Sequence, residues 1–430
     1  MLKYSRAYQV PMAIGRYLDD SVFVVKDKID ADSQNATRVM LEDQDRTVLF
    51  EGLNSAKAVG NLFSTRKKIA DAMKIDVDKI SSHLSRAVDH PIPVVEVNDP
   101  GFKERTLEVD LTRLPVCKYF PEDGGRYITS GVIVSEYGGK KNVSFHRMMI
   151  KDRDTIAIRL VPRHLFTMYN NAKKDGKELR IAICIGARPE VLLAAATSLS
   201  YDIDELEVAS AMCNEVFGEP LEVGRTENGL CVPADADYIL EGRITSETTE
   251  EGPFVDITGT YDYVRQQPIV KIDKIWCCKE PIMQLLLPGG NEHFLLMGLP
   301  REPMIFRTVQ QAVPRTHAVR LTEGGCCWLH GVVSITKNKE GDGMNAIMAA
   351  FSGHPSMKHV IIVDQDIDIF DDRQVEWAVA TRFQANRMLR IPSAAGSSLD
   401  PSADNTTWKV GIDATLPFGA DKSLFRKVTL

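Results

Sequence analysis

Residues 99–308 mix antiparallel strand patterns with two helices, and this mixture limits the possible folds more than any other feature of the chain. Residues 127–137 alternate, Gly138-Gly139 form a turn, and residues 142–150 return, which predicts a β-hairpin. Further strands are predicted at 155–161, 181–185, 238–244, 254–264 and 269–277, with helices over 191–199 and from Asp204-Glu205 onward. Strands interrupted by two helices favour a split β-barrel with inserted helices over a doubly wound sheet.

The segments on either side of residues 99–308 have α/β patterns instead. Residues 1–98 predict a small α/β segment, with strands at 21–25 and 47–50, a helix over 56–73, and a Pro- and Gly-rich boundary near 90–101. Residues 309–430 alternate strand and helix patterns, which predicts a C-terminal α/β domain with a parallel sheet. Its predicted strands lie at 328–335, 360–363 and 388–391. Its predicted helices cover 342–351 and run from Asp371 or Asp372 to 382. The predicted fold class is mixed α/β, in three parts: 1–98, 99–308 and 309–430.

Composition excludes several classes of partner. The 430 residues are 44% hydrophobic and 26% charged, as in ordinary globular proteins. A net charge of -7, with no basic run beyond Arg66-Lys67-Lys68, argues against nucleic acid. No signal peptide is evident, and no apolar stretch approaches the ~20 residues that span a bilayer. We therefore expect a cytoplasmic protein without membrane insertion.

The eight cysteines predict neither a disulfide framework nor a zinc site. No C-x-x-C occurs, and four of them are sequence neighbours, Cys277-Cys278 and Cys326-Cys327. Neighbouring residues on a strand point to opposite faces. Scattered, reduced thiols that pack as small hydrophobic side chains are expected.

Two segments could supply an acid–base site. Glu251-Gly-Pro-Phe-Val-Asp256 and Asn142-Val-Ser-Phe-His-Arg147 together contain two carboxylates, a guanidinium and an amide. Carboxylates in different environments can act as acid and base at neutral pH, and an Arg can clamp a substrate carboxylate. Residues five apart on a regular strand face opposite sides, but Gly252 and Pro253 break that alternation, so the two acids can converge. The alternative is a surface turn between strands.

Candidate metal sites fall into three groups. The acidic run 364–371 ends a buried strand and could bind magnesium or cap a helix, and residues 288–293 offer Asn, Glu and His in a Gly-led turn that could equally cap a helix. Asn142, His164 and Glu205 offer an amide, an imidazole and a carboxylate suited to manganese. No G-x-G-x-x-G after a strand, P-loop, H-E-x-x-H or G-x-S-x-G is present, so any nucleotide cofactor must be held in another way.

The order and spacing of several motifs resemble the UbiD family over roughly residues 90–415. These motifs are Asn142-Val-Ser-Phe-His-Arg147, Pro162-Arg-His164, Ile239-Leu-Glu-Gly242, Glu251-Gly-Pro-Phe-Val-Asp256-x-Thr-Gly259, Pro288-Gly-Gly-Asn-Glu-His293, Gly298-Leu-Pro-Arg301 and Asp364-x-Asp-Ile-Asp368. The resemblance implies a carboxy-lyase that uses prenylated FMN, on a split-barrel flavin domain flanked by α/β segments. It also implies a homodimer or homohexamer, a small carboxylic acid as substrate, and a flavin prenyltransferase as cofactor supplier.

The resemblance also implies residue roles. Arg147, Glu251 and Asp256 take the places of the family's Glu-Arg-Glu catalytic network. Manganese ligands fall on Asn142, His164 and Glu205, with potassium nearby. The positions expected to contact the flavin also include Ser144, Phe145, His146, Arg163, Thr197 and Ser198. One departure is Asp256, where familiar members carry Glu, and it bears on the substrate rather than on the reaction class.

The short chain and its Gly-Pro-Phe-Val-Asp segment resemble an archaeal-type branch of the family. The resemblance therefore implies decarboxylation of an α,β-unsaturated acid, foremost trans-anhydromevalonate 5-phosphate to isopentenyl phosphate. Arg163, Arg265 and Arg301 are candidate cations for the phosphate. Decarboxylation of an aromatic acid such as a 4-hydroxybenzoate is an alternative within the family. A non-catalytic flavin carrier or assembly protein is the alternative of another class.

Overall fold

A computed structural model describes residues 14–404 and 406–425. They form two compact units, one containing residues up to Val255 together with Tyr261–His293, the other containing Asp256–Thr260 and the chain from Phe294 onward. The N-terminal elements of the first unit are β1 (Phe23–Ile29), α1 (Asn35–Glu42), β2 (Val48–Leu53), β3 (Ala56–Gly60), α2 (Arg66–Met73), α3 (Ile80–Asp89) and β4 (Val95–Glu96).

The helix predicted over 56–73 is wrong in its first half. Residues 56–60 form β3, which pairs antiparallel with β2, and the helix begins only at Arg66. The Thr65 side chain caps α2 by accepting a hydrogen bond from the Lys68 amide. This cap, rather than the apolar pattern, sets where the helix starts.

The central elements continue the first unit. They are β5 (Arg105–Leu107), β6 (Tyr127–Ile128), β7 (Val132–Tyr137), β8 (Lys140–Phe145), β9 (Met148–Ile150), β10 (Thr155–Ile158), α4 (His164–Lys174), β11 (Leu179–Ile185), α5 (Pro189–Ala196), α6 (Glu205–Phe217), β12 (Glu222–Arg225), β13 (Cys231–Pro233), β14 (Tyr238–Glu251), β15 (Phe254–Val255), β16 (Tyr261–Asp262), β17 (Arg265–Cys277), β18 (Met283–Leu285) and α7 (Asn291–Gly298).

Nine of these strands form the sheet that carries the candidate site. Its hydrogen-bonded order is β6-β9-β10-β17-β14-β11-β7-β8, with β5 beside β17. The predicted hairpin is confirmed, since β7 and β8 pair antiparallel across Gly138 and Gly139, both with positive φ. The fold class is confirmed as mixed α/β; the split barrel and the three-part division remain predictions.

The single strand predicted over 254–264 is instead a short hairpin. Phe254 pairs with Asp262 and Val255 with Tyr261. Within the connecting residues, the Asp256 amide donates to the Thr260 carbonyl at 3.0 Å and Gly259 turns the chain with φ 72°. Gly259 is the turn signal that separates the two strands.

The second unit contains one five-stranded sheet with flanking helices. After α7 its elements are α8 (Glu302–Ala312), β19 (Thr316–Leu321), β20 (His330–Ile335), α9 (Asp342–Gly353), β21 (His359–Asp364), α10 (Asp372–Arg382), β22 (Met388–Ala395) and β23 (Thr406–Asp413). The strand order is β19-β20-β21-β23-β22. The predicted parallel pairing of β20 and β21 is correct.

The predicted strand near 388–391 is not the third parallel strand. It belongs to β22, which pairs antiparallel with β23, and β23 is the strand that lies parallel to β21. A direct connection from β22 to β23 is too short for the helical crossover that parallel neighbours need. The prediction missed β23 altogether.

Each unit has its own apolar core. In the first, buried side chains from the nine-stranded sheet pack with those of α4 and the N-terminal strands, among them Tyr127, Met148 and Ile244. In the second, Val332, Val363 and Ala378 lie in the core between the sheet and α10. Within the described ranges, none of the helices is both long enough and apolar enough to cross a membrane.

Candidate active site

A buried ion pair between Arg147 and Glu251 lies at the centre of the candidate site. Arg147 stands between β8 and β9, and Glu251 is the last residue of β14. Two parallel hydrogen bonds, Nε to Oε1 and Nη2 to Oε2, both 2.9 Å long, join the side chains. The Arg147 side chain is 9% exposed to solvent and the Glu251 side chain 0%. This fork geometry fixes the guanidinium plane as well as its charge.

Neighbouring groups hold this pair in place. The Tyr127 hydroxyl donates to Glu251 Oε1 at 3.1 Å, and the Arg147 guanidinium lies 4.9 Å from the centre of the Phe254 ring. Gly252 follows Glu251 with φ 101°, and a Cβ there would meet the Tyr263 carbonyl oxygen at 2.9 Å. The glycine is therefore required where the strand leaves the ion pair.

Three further charged residues surround the pair, and the sequence reasoning identified only Arg265 among them. Asp262 Oδ2 accepts from Arg147 Nη2 at 2.9 Å, and its Oδ1 accepts from Arg265 Nη1 at 2.5 Å. Arg159 Nε lies 3.9 Å from Asp262 Oδ2. Burial alone would raise the pKa of Asp262, but the Arg265 hydrogen bond and the Arg147 charge hold it below its ordinary value. The carboxylate is therefore ionised at neutral pH.

Strand register explains why these residues meet. Glu251 and Arg265 are directly paired between β14 and β17. The Arg159 amide donates to the Arg147 carbonyl, which places the two arginines opposite each other beyond the β9–β10 ladder. The sequence signal that could have identified Asp262 was the turn at Gly259. A hairpin predicted over 254–264 would have placed Asp262 opposite Phe254.

Asp256, the second predicted acid, belongs to the other compact unit. It lies in the 256–260 connection between β15 and β16. Its Oδ1 accepts from the Ile257 amide at 2.7 Å, and its backbone pairs with Thr260. The local turn thus orients the carboxyl group, and its role as an acid remains a prediction.

Replacing Arg147 with Lys should reduce turnover at least tenfold, which is about 1.4 kcal/mol or more of transition-state stabilisation. Lys keeps the charge but cannot form the two parallel bonds to Glu251 or present a planar fork to a substrate carboxylate. The measurement is kcat and KM at equal flavin loading. A variant with the wild-type rate and affinity would show that Arg147 has only a structural role.

The first group of predicted cofactor residues forms a hydrogen-bonded chain with defined proton positions. His146 Nδ1 lies 3.0 Å from the Arg159 carbonyl oxygen, which can only accept, so Nδ1 carries the proton. Burial lowers the pKa of His146 to about 4, so the ring is neutral and its Nε2 accepts from Ser144 Oγ at 3.0 Å. Ser144 Oγ in turn accepts from Asn142 Nδ2 at 2.7 Å. The Asn142 amide oxygen is consequently the acceptor group at the end of this chain.

Glu205 lies next to Asn142. Its Oε2 accepts from the Val143 amide at 2.9 Å, and the residue is only 3% exposed. Burial raises the pKa of Glu205 to about 8. The buried carboxylate accepts hydrogen bonds from backbone amides, and a nearby cation would favour its ionised form.

His164 begins α4, which packs against β8, and its ring contacts Tyr201 at 5.0 Å between centroids. Burial and the Arg163 charge lower the pKa of His164, which keeps the imidazole neutral, as a metal ligand must be. In the part of the chain described here, His164 makes no hydrogen bond to Asn142 or Glu205. The structure thus joins Glu205 to the residue that follows Asn142 and places His164 on an adjacent helix.

The remaining predicted flavin positions lie around the same strand. Arg163 Nη1 donates to Ser198 Oγ at 3.1 Å, which links two of them. Thr197 donates its hydroxyl to the Leu193 carbonyl at the end of α5, and Phe145 is the half-buried last residue of β8. α5 and α6 both pack against β8, so these side chains share one region of the first unit.

The donor set fits a metal that also binds a non-protein ligand. Among residues 14–404 and 406–425, no three His, Cys, Asp or Glu side chains converge as a metal site. A cation here therefore needs the Asn142 amide and oxygens from another molecule, as a phosphate would provide. The amide orientation, neutral imidazole and buried carboxylate all agree with that requirement.

The other two candidate metal sites are occupied by protein contacts. In the acidic run, Arg382 binds Asp364 at 3.0 Å and Asp366 at 2.6 Å, and Asp371 caps α10. Because Arg382 pairs with two of these carboxylates and Asp371 caps the helix, the contacts favour the capping alternative over a magnesium site. In the 288–293 turn, Glu292 accepts from Gln284 Nε2 at 2.8 Å and burial raises its pKa to about 7. His293 accepts from the Gly289 amide, so this turn starts α7, as the capping alternative predicted.

The cysteine prediction is confirmed. All eight cysteines are free thiols, six of them buried. Burial raises the pKa of five of the buried thiols, which keeps them protonated and unreactive: Cys117, Cys184, Cys213, Cys277 and Cys278.

Comparison with known proteins assigns the class. Residues 94–291 match the 3-octaprenyl-4-hydroxybenzoate carboxy-lyase Rift-related domain, and residues 294–414 match the 3-octaprenyl-4-hydroxybenzoate carboxy-lyase C-terminal domain. The protein is therefore a carboxy-lyase. The chain belongs to the UbiD family, as its motifs indicated.

Individual relatives resemble nearly the whole chain. The anhydromevalonate phosphate decarboxylase of Methanothermobacter thermautotrophicus is 43% identical over 96% of this chain and 98% of its own length. The structure of the UbiD-class enzyme HmfF from Pelotomaculum thermopropionicum in complex with FMN has a TM-score of 0.91 and 35% identity, covering 95% and 94% of the two chains. An evolved dimeric form of that enzyme in complex with prFMN has a TM-score of 0.88 and 32% identity, covering 98% and 97%.

Proposed function

We propose that the protein decarboxylates anhydromevalonate phosphate, using prenylated FMN. The observation that carries this proposal is the buried Arg147–Glu251 pair with two further arginines around it, in a chain similar over nearly its full length to a decarboxylase of that phosphate. Substrate carboxylate and phosphate are both anions, and a site with three guanidiniums suits both. The product would be isopentenyl phosphate and carbon dioxide.

The hydrogen bonds between Arg147 and Glu251 support the roles proposed for these two residues, and the motif match supports that of Asp256. Arg147 binds and orients the substrate carboxylate, and Glu251 holds the guanidinium plane through its two hydrogen bonds. Asp256 delivers a proton to the carbon that loses the carboxylate. Burial and the Glu251 charge raise the pKa of Tyr127. Its hydroxyl therefore stays protonated and donates a hydrogen bond to Glu251.

We propose that residues beside β8 would hold prenylated FMN, that Asn142, His164 and Glu205 would bind manganese, and that potassium would bind nearby. The fit of the donor set supports this assignment. When bound, the prenylated flavin supplies the electron sink for the loss of carbon dioxide. Ser144, Phe145, His146, Arg163, Thr197 and Ser198 would line the cofactor.

Replacing His164 with Ala should remove both manganese and flavin from the purified protein. The loss of one ligand weakens the metal, and the metal is the proposed link to the cofactor phosphate. The measurements are metal analysis and the flavin absorption spectrum. His90→Ala is the matched control, because His90 is an exposed imidazole at the end of α3. Full retention of flavin in the His164 variant would contradict the assignment.

The function itself is tested by substrate comparison. The full chain would be produced together with a flavin prenyltransferase, the proposed cofactor supplier, and carbon dioxide release measured from trans-anhydromevalonate 5-phosphate and from 4-hydroxybenzoate. Turnover of the phosphate is expected. Turnover of the aromatic acid alone would favour the alternative within the family, and turnover of neither by flavin-loaded protein would favour a carrier.

We further propose a homodimer or homohexamer in the cytoplasm. One structural neighbour is described as an evolved dimeric form, which supports self-association in proteins of this fold. Eight free thiols suit a reducing compartment. Light scattering of the purified chain distinguishes two copies from six.

A further inference from the structure

Two carboxylates of the protein share the donors of the Arg147 guanidinium. Nε donates to Glu251 Oε1, and Nη2 donates both to Glu251 Oε2 and to Asp262 Oδ2, each over 2.9 Å. Glu251 and Asp262 therefore use the single N–H of Nε and both N–H groups of Nη2. Arg147 also has a further interaction within the described ranges, so its guanidinium is not a free cation.

The contact with Asp262 determines how a substrate carboxylate can reach Arg147. An arginine can bind a carboxylate through two parallel hydrogen bonds either with Nε and one terminal nitrogen or with both terminal nitrogens. Glu251 occupies the first pair of donors, and Asp262 holds Nη2 of the second pair. A substrate carboxylate that binds both terminal nitrogens must therefore replace a carboxylate of the protein.

Asp262 is the carboxylate that can be replaced at lower cost. Its side chain is 16% exposed, whereas that of Glu251 has no exposed surface. Its other oxygen, Oδ1, accepts from Arg265 Nη1 at 2.5 Å and from the Tyr263 amide at 2.9 Å. Asp262 therefore keeps a charged and a neutral donor when Oδ2 leaves Arg147. Displacing Glu251 would instead separate a fully buried charge from its ionic partner.

We propose that Asp262 holds the place of the substrate carboxylate on Arg147 and is exchanged for it on binding, while Arg265 retains the displaced side chain. The inference rests on the proposed function and adds to it a residue that sets the affinity for the acid relative to its product. Asp262 acts through Arg147, so it is a positioning residue.

The exchange keeps the Arg147 charge compensated throughout a catalytic cycle. When the acid binds, its carboxylate replaces Asp262 on Nη2, so one ion pair is traded for another. Decarboxylation then breaks the bond between this carboxylate and the rest of the molecule, and carbon dioxide leaves as a neutral molecule. The product has no carboxylate to hold the donor, and Asp262 returns to it. A partly buried guanidinium is thus never left without a partner, which would be costly.

The test compares a ligand that carries the carboxylate with one that lacks it. The acid probe is the saturated analogue of trans-anhydromevalonate 5-phosphate, which keeps both anionic groups but has no conjugated double bond and is not turned over. The other probe is isopentenyl phosphate. Both would be titrated by calorimetry into the cofactor-loaded full chain, so that differences at the shared phosphate cancel.

In Asp262→Asn the acid probe should bind about tenfold more tightly, because a neutral amide competes less for Nη2 than a carboxylate does. The Kd of isopentenyl phosphate should change less than about threefold, and KM for the reacting acid should fall. Asp273→Asn is the matched control, since Asp273 is a 54% exposed acid on β17 that pairs with Arg243. Weaker binding of the acid probe to Asp262→Asn would overturn the exchange and make Asp262 an anchor of Arg147.

Arg265→Ala tests the retention of the displaced side chain independently. The acid probe should bind about tenfold more weakly, because displaced Asp262 loses its ionic partner, and isopentenyl phosphate should be unaffected. The same change in an Asp262→Asn background should have little effect. Equal losses for both probes, or a loss that persists in that background, would overturn the role of Arg265.

Failure of the proposed function has a different signature. It would appear as turnover of 4-hydroxybenzoate in place of the phosphorylated acid by the wild-type chain. The exchange would then be measured with 4-hydroxybenzoate and its product, phenol, on the full chain loaded with unmodified FMN. Tighter binding of the acid alone to Asp262→Asn would again support the exchange, and weaker binding would overturn it.

Discussion

Asp256→Asn should lose about 100- to 10,000-fold in turnover, the range that a positioned general acid contributes. Asn keeps the shape and can still accept from the Ile257 amide, so the 256–260 turn should persist. It has no proton to deliver to carbon. The flavin spectrum should be unchanged, because the proposed cofactor residues lie around β8.

Single-turnover release of carbon dioxide at equal cofactor loading is the measurement. Asp256→Glu should lose roughly tenfold or more, since misplacement by about 1 Å can cost a hundredfold. Glu250→Gln, an exposed carboxylate at the end of β14, is the control and should behave as wild type. If Asp256→Asn turned over normally, another group would be the donor.

Glu251→Ala should destabilise the protein by about 3–5 kcal/mol, because it leaves the Arg147 charge buried without its partner. Glu251 has no exposed surface and accepts from both Arg147 and Tyr127. Turnover should also collapse, since the guanidinium plane loses its orientation. Urea unfolding of the cofactor-free chain measures the first effect.

A double-mutant cycle separates the ion pair from the loss of packing. Arg147→Ala and Glu251→Ala together should cost clearly less than the sum of the single variants, because neither charge remains buried alone. Lys67→Ala with Asp71→Ala is the contrasting exposed pair on α2, for which single and double variants should differ little. Additive losses at Arg147 and Glu251 would show that the two side chains stabilise the protein independently.

Local sequence signals were sufficient for much of the fold. The turn at Gly138-Gly139 predicted the β7–β8 hairpin, and Asp204 predicted the start of α6 by capping it. These features depend on a few adjacent residues, as turns and caps do. Two failures missed such local signals, the Thr65 cap and the Gly259 turn. The others were non-local, because β23 and the antiparallel direction of β22 depend on which strand becomes the neighbour.

Motif order determined the family, and it singled out Arg147, Glu251 and Asp256, because residues that perform one chemistry recur at matching positions along the chain. The sequence by itself also predicted the mixed α/β class and the free thiols, which depend on composition and periodicity. Only the tertiary structure decided that Asp262 and Arg159 join Arg147 and that Arg382 pairs with Asp364 and Asp366. Those contacts arise from strand register and helix packing between distant residues, and no local pattern encodes the distance between two such side chains.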